Sequence, residues 1–261
     1  MARYSNGESA FSRLVRLLEA FDDDAPFATV SDLSKRTGLS LPTVSRMVSD
    51  LVDQGWLQRD DDRRVVFGLR MWELGVRAVP TRNLSRVARP YMTELSARLG
   101  QNVQLGVRQG NEVIFVELMS TPAAVPAFVR EPGDRLPLHV SAPGRVLLAH
   151  APMAVQESFL SDPPPMVSLG GGSDLHSLRA QLVEIRRTGV AFRPAVGDPE
   201  STAIAVPLRL PGREVVAALS VVMPRTETTR TAVPAALHAT GMQIGRALVG
   251  EQIAQPPVSR G

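Results

Sequence analysis

Residues 29–57, TVSDLSKRTGLSLPTVSRMVSDLVDQGWL, decide the fold of the first part of this chain. They read as two short helices joined by a tight turn. Thr29 stands where an N-cap is needed, and Asp32 follows at the spacing of a capping box, with Asp in the place of Glu. The first helix runs to about Thr37, and Gly38 supplies the left-handed residue that stops it. Ser40 caps a second helix whose first turn holds Pro42, where a missing N–H does no harm. Val44, Val48, Leu51 and Val52 recur at three- and four-residue spacing and mark its inward face. Thr43, Ser45, Arg46 and Ser49 fall mostly on the other side. Small hydroxyls around one arginine make poor core material. They let a helix backbone approach a DNA duplex, where Arg46 reaches a guanine edge or a phosphate. The plain alternative is a solvated helix face.

The residues that follow favour the groove. Gly55 ends the helix, and Trp56–Arg59 and Arg64–Phe67 read as two strands around the turn Asp60-Asp61-Asp62-Arg63. Helix, turn, helix and hairpin make a winged helix-turn-helix. On LSKRTGL, LPTVSRMVSDLVDQGWL and the trailing FGLRMWELG, the chain resembles the amino-terminal domain of the isocitrate lyase regulator (IclR) family of bacterial transcription factors. In the wing, phosphate attracts Arg59, Arg63 and Arg64 and repels Asp60, Asp61 and Asp62, so the aspartates are expected to turn to solvent. A simple charged hairpin is the other reading. The expected DNA-contacting set is Thr29, Ser40, Thr43, Ser45, Arg46 and Ser49 on the helices, with Arg63 and Arg64 on the wing.

A length of 261 residues allows one or two domains, and 44% hydrophobic with 21% charged residues is ordinary globular composition. No long apolar run marks a membrane span, and MARYSNGESA has no signal-peptide core, so a cytoplasmic protein without membrane association is expected. The absence of cysteine excludes disulfides and thiolate metal sites. The formal charge is only +3, and Lys35 is the single lysine. Residues 1–80 hold 11 Arg and Lys against 12 Asp and Glu, a net of −1. DNA binding must therefore come from where the charges lie rather than from their sum.

Before the reader pair, Phe11, Leu14, Val15, Leu18 and Phe21 predict a support helix over Glu8–Phe21, ended by Asp22-Asp23-Asp24 and Pro26. That acidic run reads as a solvated loop. After the wing, Gly68–Arg77 reads as a short linker helix broken by Pro80. A longer helix follows over Thr81–Leu99, with a kink near Arg89 allowed by Pro90. The domain boundary falls near residues 78–83, giving a DNA-binding domain over 1–79, a second domain over 80–250 and a loose tail over 251–261. Strands are expected at Asn102–Val107, Glu112–Leu118, Val190–Arg193, Ile204–Leu210 and Glu214–Val222, and a loop bracketed by Pro122 and Pro126 leads into Ala127–Arg130. Helices are expected around Val155–Leu160, from a cap at Asp174 to Thr188, and over Arg230–Val249, with a loop over Pro163–Gly172.

On LPLHVSAPGRVLLA this second half resembles the effector-binding domain of the same family. The resemblance spans about residues 9–250. It implies an α+β chain, with a GAF/PAS-like domain whose curved antiparallel sheet is flanked by helices. It also implies a small organic effector, often a carboxylate or aromatic acid, held between Leu136, Ser141, Ala142, Pro143 and Gly144 on one wall and Ser201, Ala203, Ser220 and Val222 on the sheet. If Gly144 lies near a helix start, free N–H groups there could hold an anion. Gly189, Ala203, Ile204 and Ala205 fit the family pattern, but Arg193 stands where Asp or Ser is expected, Val196 where Glu is expected, and Val222 where many members carry Ser. Arg193 is expected to take an effector carboxylate in a bidentate contact. Its alternatives are solvent, Asp198 or Glu200.

Enzymatic chemistry finds little support. His139 and Ser141 would share one face of a strand, yet no G-x-S-x-G elbow or third carboxylate accompanies them. His139 reads as a structural residue hydrogen-bonding its loop. His139, His150, His176 and His238 have no metal-ligand spacing, and no phosphate loop appears, so no catalytic residue, metal or cofactor is expected. The resemblance implies a DNA-binding regulator, more often a repressor, acting as a dimer or dimer of dimers on a palindromic operator. A ligand-independent nucleoid or adaptor protein is the alternative.

Overall fold

The computed structural model describes residues 8–21, 26–75, 79–122, 124, 131–162, 175–210, 212, 214–225 and 229–254. The expectations made for residues 22–24, 76–78, 127–130, 163–172, 174 and 255–261 lie outside the described residues. The chain divides into two compact units, Met1–Val79 and Pro80–Gly261.

The first unit contains α1 (Ala10–Leu18), α2 (Val30–Thr37), α3 (Leu41–Asp53), β1 (Leu57–Arg59), β2 (Val65–Phe67) and α4 (Leu69–Gly75). Leu17, Leu33, Val44, Val48, Leu57 and Val65 close its core. The expected stripe of α1 needs correction: Leu17 is the fully buried residue, and Phe11 is 73% exposed. The helix also stops at Leu18, three residues short of Phe21. Leu18 and Phe21 of the expected stripe still pack against the core beside Leu17, and Phe11 lies outside it because only the later part of α1 meets the core.

Local signals fix the reader pair. Thr29 Oγ1 accepts from the Asp32 N–H at 3.2 Å and Asp32 Oδ2 accepts from the Thr29 N–H at 3.1 Å, so the Asp version of the capping box is formed. Gly38 ends α2 at φ 68°. At the end of α3 the Gly55 N–H reaches the Val52 carbonyl and the Trp56 N–H the Leu51 carbonyl, both at 2.9 Å, a Schellman closure with Gly55 left-handed.

The second unit is a six-stranded antiparallel sheet between two helical layers. Its strands are β3 (Asn102–Gln109), β4 (Glu112–Met119), β5 (Arg135–Pro137), β6 (Ala191–Ala195), β7 (Asp198–Arg209) and β8 (Val215–Pro224), in the order β5-β4-β3-β8-β7-β6. One face packs α5 (Val79–Leu99) and α9 (Thr229–Ala254) against Val103, Leu105, Val206, Leu219 and Val221. The other face packs α6 (Ala142–His150), α7 (Met153–Ser161) and α8 (Leu175–Thr188) against Val113, Phe115, Ala203, Ala205 and Val222. β7 begins six residues earlier than the Ile204 expected from sequence. Residues 198–203, DPESTA, lack a strand pattern but pair with β6 and with residues 222–224 of β8. Long-range pairing here overrides weak local preference. Among the described residues, no helix is long and apolar enough to cross a membrane.

Candidate functional site

On α3, Val44 and Val48 are fully buried, whereas Ser45, Arg46 and Ser49 are exposed together on the opposite side, with Thr43 between. Thr29 and Ser40 are exposed at the starts of α2 and α3. The expected Ser40 cap is corrected in one respect. Ser40 holds the N-cap position, but its hydroxyl makes no capping bond and meets the Thr43 hydroxyl at 2.8 Å. Pro42 offers no N–H at the second position, and the Thr43 hydroxyl competes at the third.

The wing departs further. Asp60 accepts from the Arg64 N–H and Nε, both at 2.8 Å, and Arg64 also pairs with Asp62 at 3.3 Å. The Arg64 guanidinium lies 4.6 Å from the Phe27 ring centroid. Asp60 is therefore folded back onto the hairpin rather than turned to solvent, and Arg64 braces the turn instead of standing free for phosphate. Arg59 and Arg63 are exposed. Arg63 is the one described non-glycine residue at positive φ, 60°. An Arg63→Gly variant is expected to gain about 1 kcal/mol by relieving the left-handed strain. The same change should weaken DNA binding, a pairing that a melting curve and a gel-shift titration on one preparation will show.

In the second unit, a cavity of about 20 Å³ lies between the sheet and the start of α6. Of the expected effector residues, Leu136, Ser141, Pro143, Ala203 and Val222 line it. Gln104, Phe115, Pro194, Ala195 and Val196, outside the expected set, line it as well. Five expected residues lie elsewhere. Ala142 is buried in the core behind the cavity. Gly144 sits against Leu138, where an added Cβ would come within 2.4 Å of the carbonyl oxygen. Ser201 donates to Asp198 at 2.5 Å. Ser220 is buried opposite Gln104 in the sheet register, and Arg193 precedes the lining residue Pro194 on β6. The expected anion hole at the helix start is also corrected. The Gly144 N–H is taken by Ser141 Oγ at 3.1 Å, and Pro143 has no N–H to give.

Positive charge gathers behind this wall. Arg145 is 2% exposed, donates through Nε to the His139 carbonyl at 2.7 Å, and reaches the Gln181 side chain through Nη1. Burial, with Arg193 nearby, lowers the Arg145 pKa to about 10. His139 does not hydrogen-bond its loop through the ring as expected. Its ring nitrogens are buried without hydrogen-bond partners among the described residues, and the ring packs 5.8 Å from that of Phe159. Burial, then Arg145 and Arg193, hold its pKa below the usual value. Burial does the same, as the largest cause, to His150 and His238. A histidine depressed in the folded state takes up its proton more readily when unfolded. Stability is therefore full above the unfolded value of about 6.5 and falls as pH drops through it toward the folded values. Each such histidine steepens the fall by up to about 1.4 kcal/mol per pH unit within that window. Urea midpoints measured from pH 7.5 to 5 should decline, and His139→Gln should flatten the curve.

A helix-turn-helix with an exposed polar reader face, followed by a sheet domain enclosing a small cavity, defines a DNA-binding regulator with a ligand-binding domain. The family described as bacterial transcriptional regulator IclR C-terminal matches residues 76–246, and the IclR helix-turn-helix domain matches residues 10–61. The chain belongs to the IclR family of transcriptional regulators. It is 28% identical over 216 residues to the HTH-type transcriptional regulator XynR of Escherichia coli, covering 80% of this chain and 83% of that protein. The HTH-type transcriptional repressor AllR of E. coli is 28% identical over 152 residues, 58% of this chain and 55% of that one. Among solved structures, an IclR homolog from Microbacterium hydrocarbonoxydans complexed with 4-hydroxybenzoate is 37% identical, with a TM-score of 0.83 over 93% of this chain and 100% of that chain.

Proposed function

We propose that this chain is a repressor that binds a palindromic operator as a homodimer or dimer of dimers and is controlled by a small carboxylate effector. The observation that carries the DNA reading is the exposed Ser45–Arg46–Ser49 face opposite the buried Val44 and Val48. Those three residues enter the major groove, with Thr29, Ser40 and Thr43 toward the backbone and Arg63 on the wing. One reader helix contacts few base pairs, so specificity needs two half-sites. Selection of bound fragments from sheared genomic DNA at near-physiological salt tests this. A shared palindrome supports a specific operator. Flat, salt-sensitive enrichment supports a nucleoid protein instead.

The effector reading rests on the cavity. Phe115, Leu136, Pro143, Val196 and Val222 offer apolar walls for a ring or short chain, and Gln104 and Ser141 offer polar groups. Arg193, next to Pro194, supplies a cation beside that wall for the carboxylate, and the 4-hydroxybenzoate held by the Microbacterium homolog has this chemistry. At about 20 Å³ the cavity holds about one water, so an aromatic acid enters only as the walls move apart. Calorimetry with 4-hydroxybenzoate is expected to show binding that Arg193→Ala weakens more than tenfold. A change of twofold or less removes Arg193 from the site.

A further inference from the structure

A larger cleft, of about 130 Å³, lies at the other end of α6 and shares no lining residue with the effector cavity. Arg108 at the end of β3, Glu214 just before β8 and His150 at the end of α6 are its polar groups, and Leu147, Pro152 and Val215 are among its apolar ones. Arg108 and Glu214 face one cleft with opposite charges and do not pair. Arg108 Nη1 donates to the Gly110 carbonyl at 3.1 Å, and among the described residues neither side chain joins an ion pair.

His150 adds a directional group. Its Nδ1 lies 2.9 Å from the Val146 carbonyl, which only accepts, so Nδ1 carries the proton. Nε2 is buried and has no hydrogen-bond partner among the described residues. Burial, with Arg209 and Arg186 nearby, holds the ring's pKa below its usual value, so the ring is neutral at pH 7 and Nε2 is an acceptor.

The cleft therefore offers a cation, an anion and an acceptor beside a short apolar wall. We infer that it binds a small zwitterionic α-amino acid. The carboxylate pairs with Arg108, the ammonium donates to Glu214 and His150 Nε2, and a short side chain lies on Leu147, Pro152 and Val215. A simple carboxylate would leave Glu214 and Nε2 unanswered, and a simple amine would leave Arg108 so. At about 130 Å³, several times the volume of the effector cavity, the cleft suits a small molecule with a short side chain, such as alanine or valine. This site is independent of the effector reading. It does lie on the same helix, whose residues Ala142–Ala149 are all buried between the two cavities.

Calorimetric titration of the full chain with L-alanine and L-valine tests the inference. Saturable binding is expected, weakened at least tenfold by Arg108→Ala and by Glu214→Gln. Both positions are exposed, so melting curves of these variants should match the parent. Propionate and ethylamine should not compete, and Arg193→Ala should bind L-alanine as the parent does. Absence of saturable binding overturns the assignment, and so does propionate binding as tightly as L-alanine, which makes the cleft a plain anion site. Loss of L-alanine binding in Arg193→Ala places the amino acid in the effector cavity and equally overturns it.

Discussion

An Arg46→Ala variant will keep its fold and lose its operator. The side chain is exposed on α3 and takes part in no hydrogen bond or ion pair among the described residues, so truncating it should change stability by no more than about 0.5 kcal/mol. On the proposed reader face of α3 the same side chain is the one cation. Asp50 and Asp53 stand exposed further along the helix and repel phosphate, so the attraction of α3 for DNA depends on Arg46. A good bidentate contact to guanine is worth about 1–3 kcal/mol per half-site. Over a two-fold operator this is about 2–6 kcal/mol, or roughly thirty-fold to more than ten-thousand-fold in affinity. Gel-shift titrations at fixed salt will read it. Arg46→Lys separates the two possible contacts: it retains a phosphate contact but loses a guanine fork. Operator affinity of Arg46→Ala within twofold of the parent would remove α3 as the reader.

The reader pair was legible because its signals are local. A capping box needs only Thr29 and Asp32, a helix stop only Gly38, and each residue acts within one turn of itself. The wing was legible as a hairpin for the same reason. Its charges were not, because Arg64 had three aspartates and a ring within reach, and only the register of the turn decides that it grips Asp60 and Asp62 and covers Phe27. The cavity shows the limit most clearly. Leu136–Gly144 reads as one contiguous wall, but α6 begins inside that stretch. Helical geometry then turns Ala142 and Gly144 into the packing and leaves Ser141 and Pro143 at the cavity. The missing lining residues come from strands far apart in the chain. Gln104 on β3 registers with Ser220 on β8, a pairing that no spacing in the sequence reveals. One signal was available: a glutamine inside the otherwise apolar run VQLGV of β3, 3% exposed, has to face something polar or a ligand. Arg145 was the least legible. A buried guanidinium looks like an error in an apolar helix until the His139 carbonyl and Gln181 are seen around it.

Replacing Gly144 by alanine is expected to cost the carboxy-terminal unit about 3 kcal/mol or more, a large part of a typical domain's stability. The new methyl would lie 2.4 Å from the Leu138 carbonyl oxygen, 2.8 Å from its Cα and 2.9 Å from its carbonyl carbon. These are backbone atoms, so no side-chain rotation relieves the overlap. Leu138 is fully buried, and its N–H is held by the Asn111 carbonyl at 3.0 Å. The helix cannot retreat either. α6 packs on β3, β4, β6, β7 and β8 and on α7 and α8, so a shift of its first turn disturbs both the sheet and the helical layer. It would also part Arg145 Nε from the His139 carbonyl and leave two buried polar groups unanswered. Gly250→Ala is the comparison. That glycine lies in α9 with open space around its Cα, and alanine there should be neutral or stabilising by up to about 1 kcal/mol. Urea unfolding followed by circular dichroism should show the Gly144→Ala midpoint falling well below the parent and the Gly250→Ala midpoint at or above it. A Gly144→Ala midpoint equal to the parent's would mean that α6 has room at its first turn. The close approach of Gly144 to Leu138 would then not be what seats Ser141 and Pro143 against the cavity.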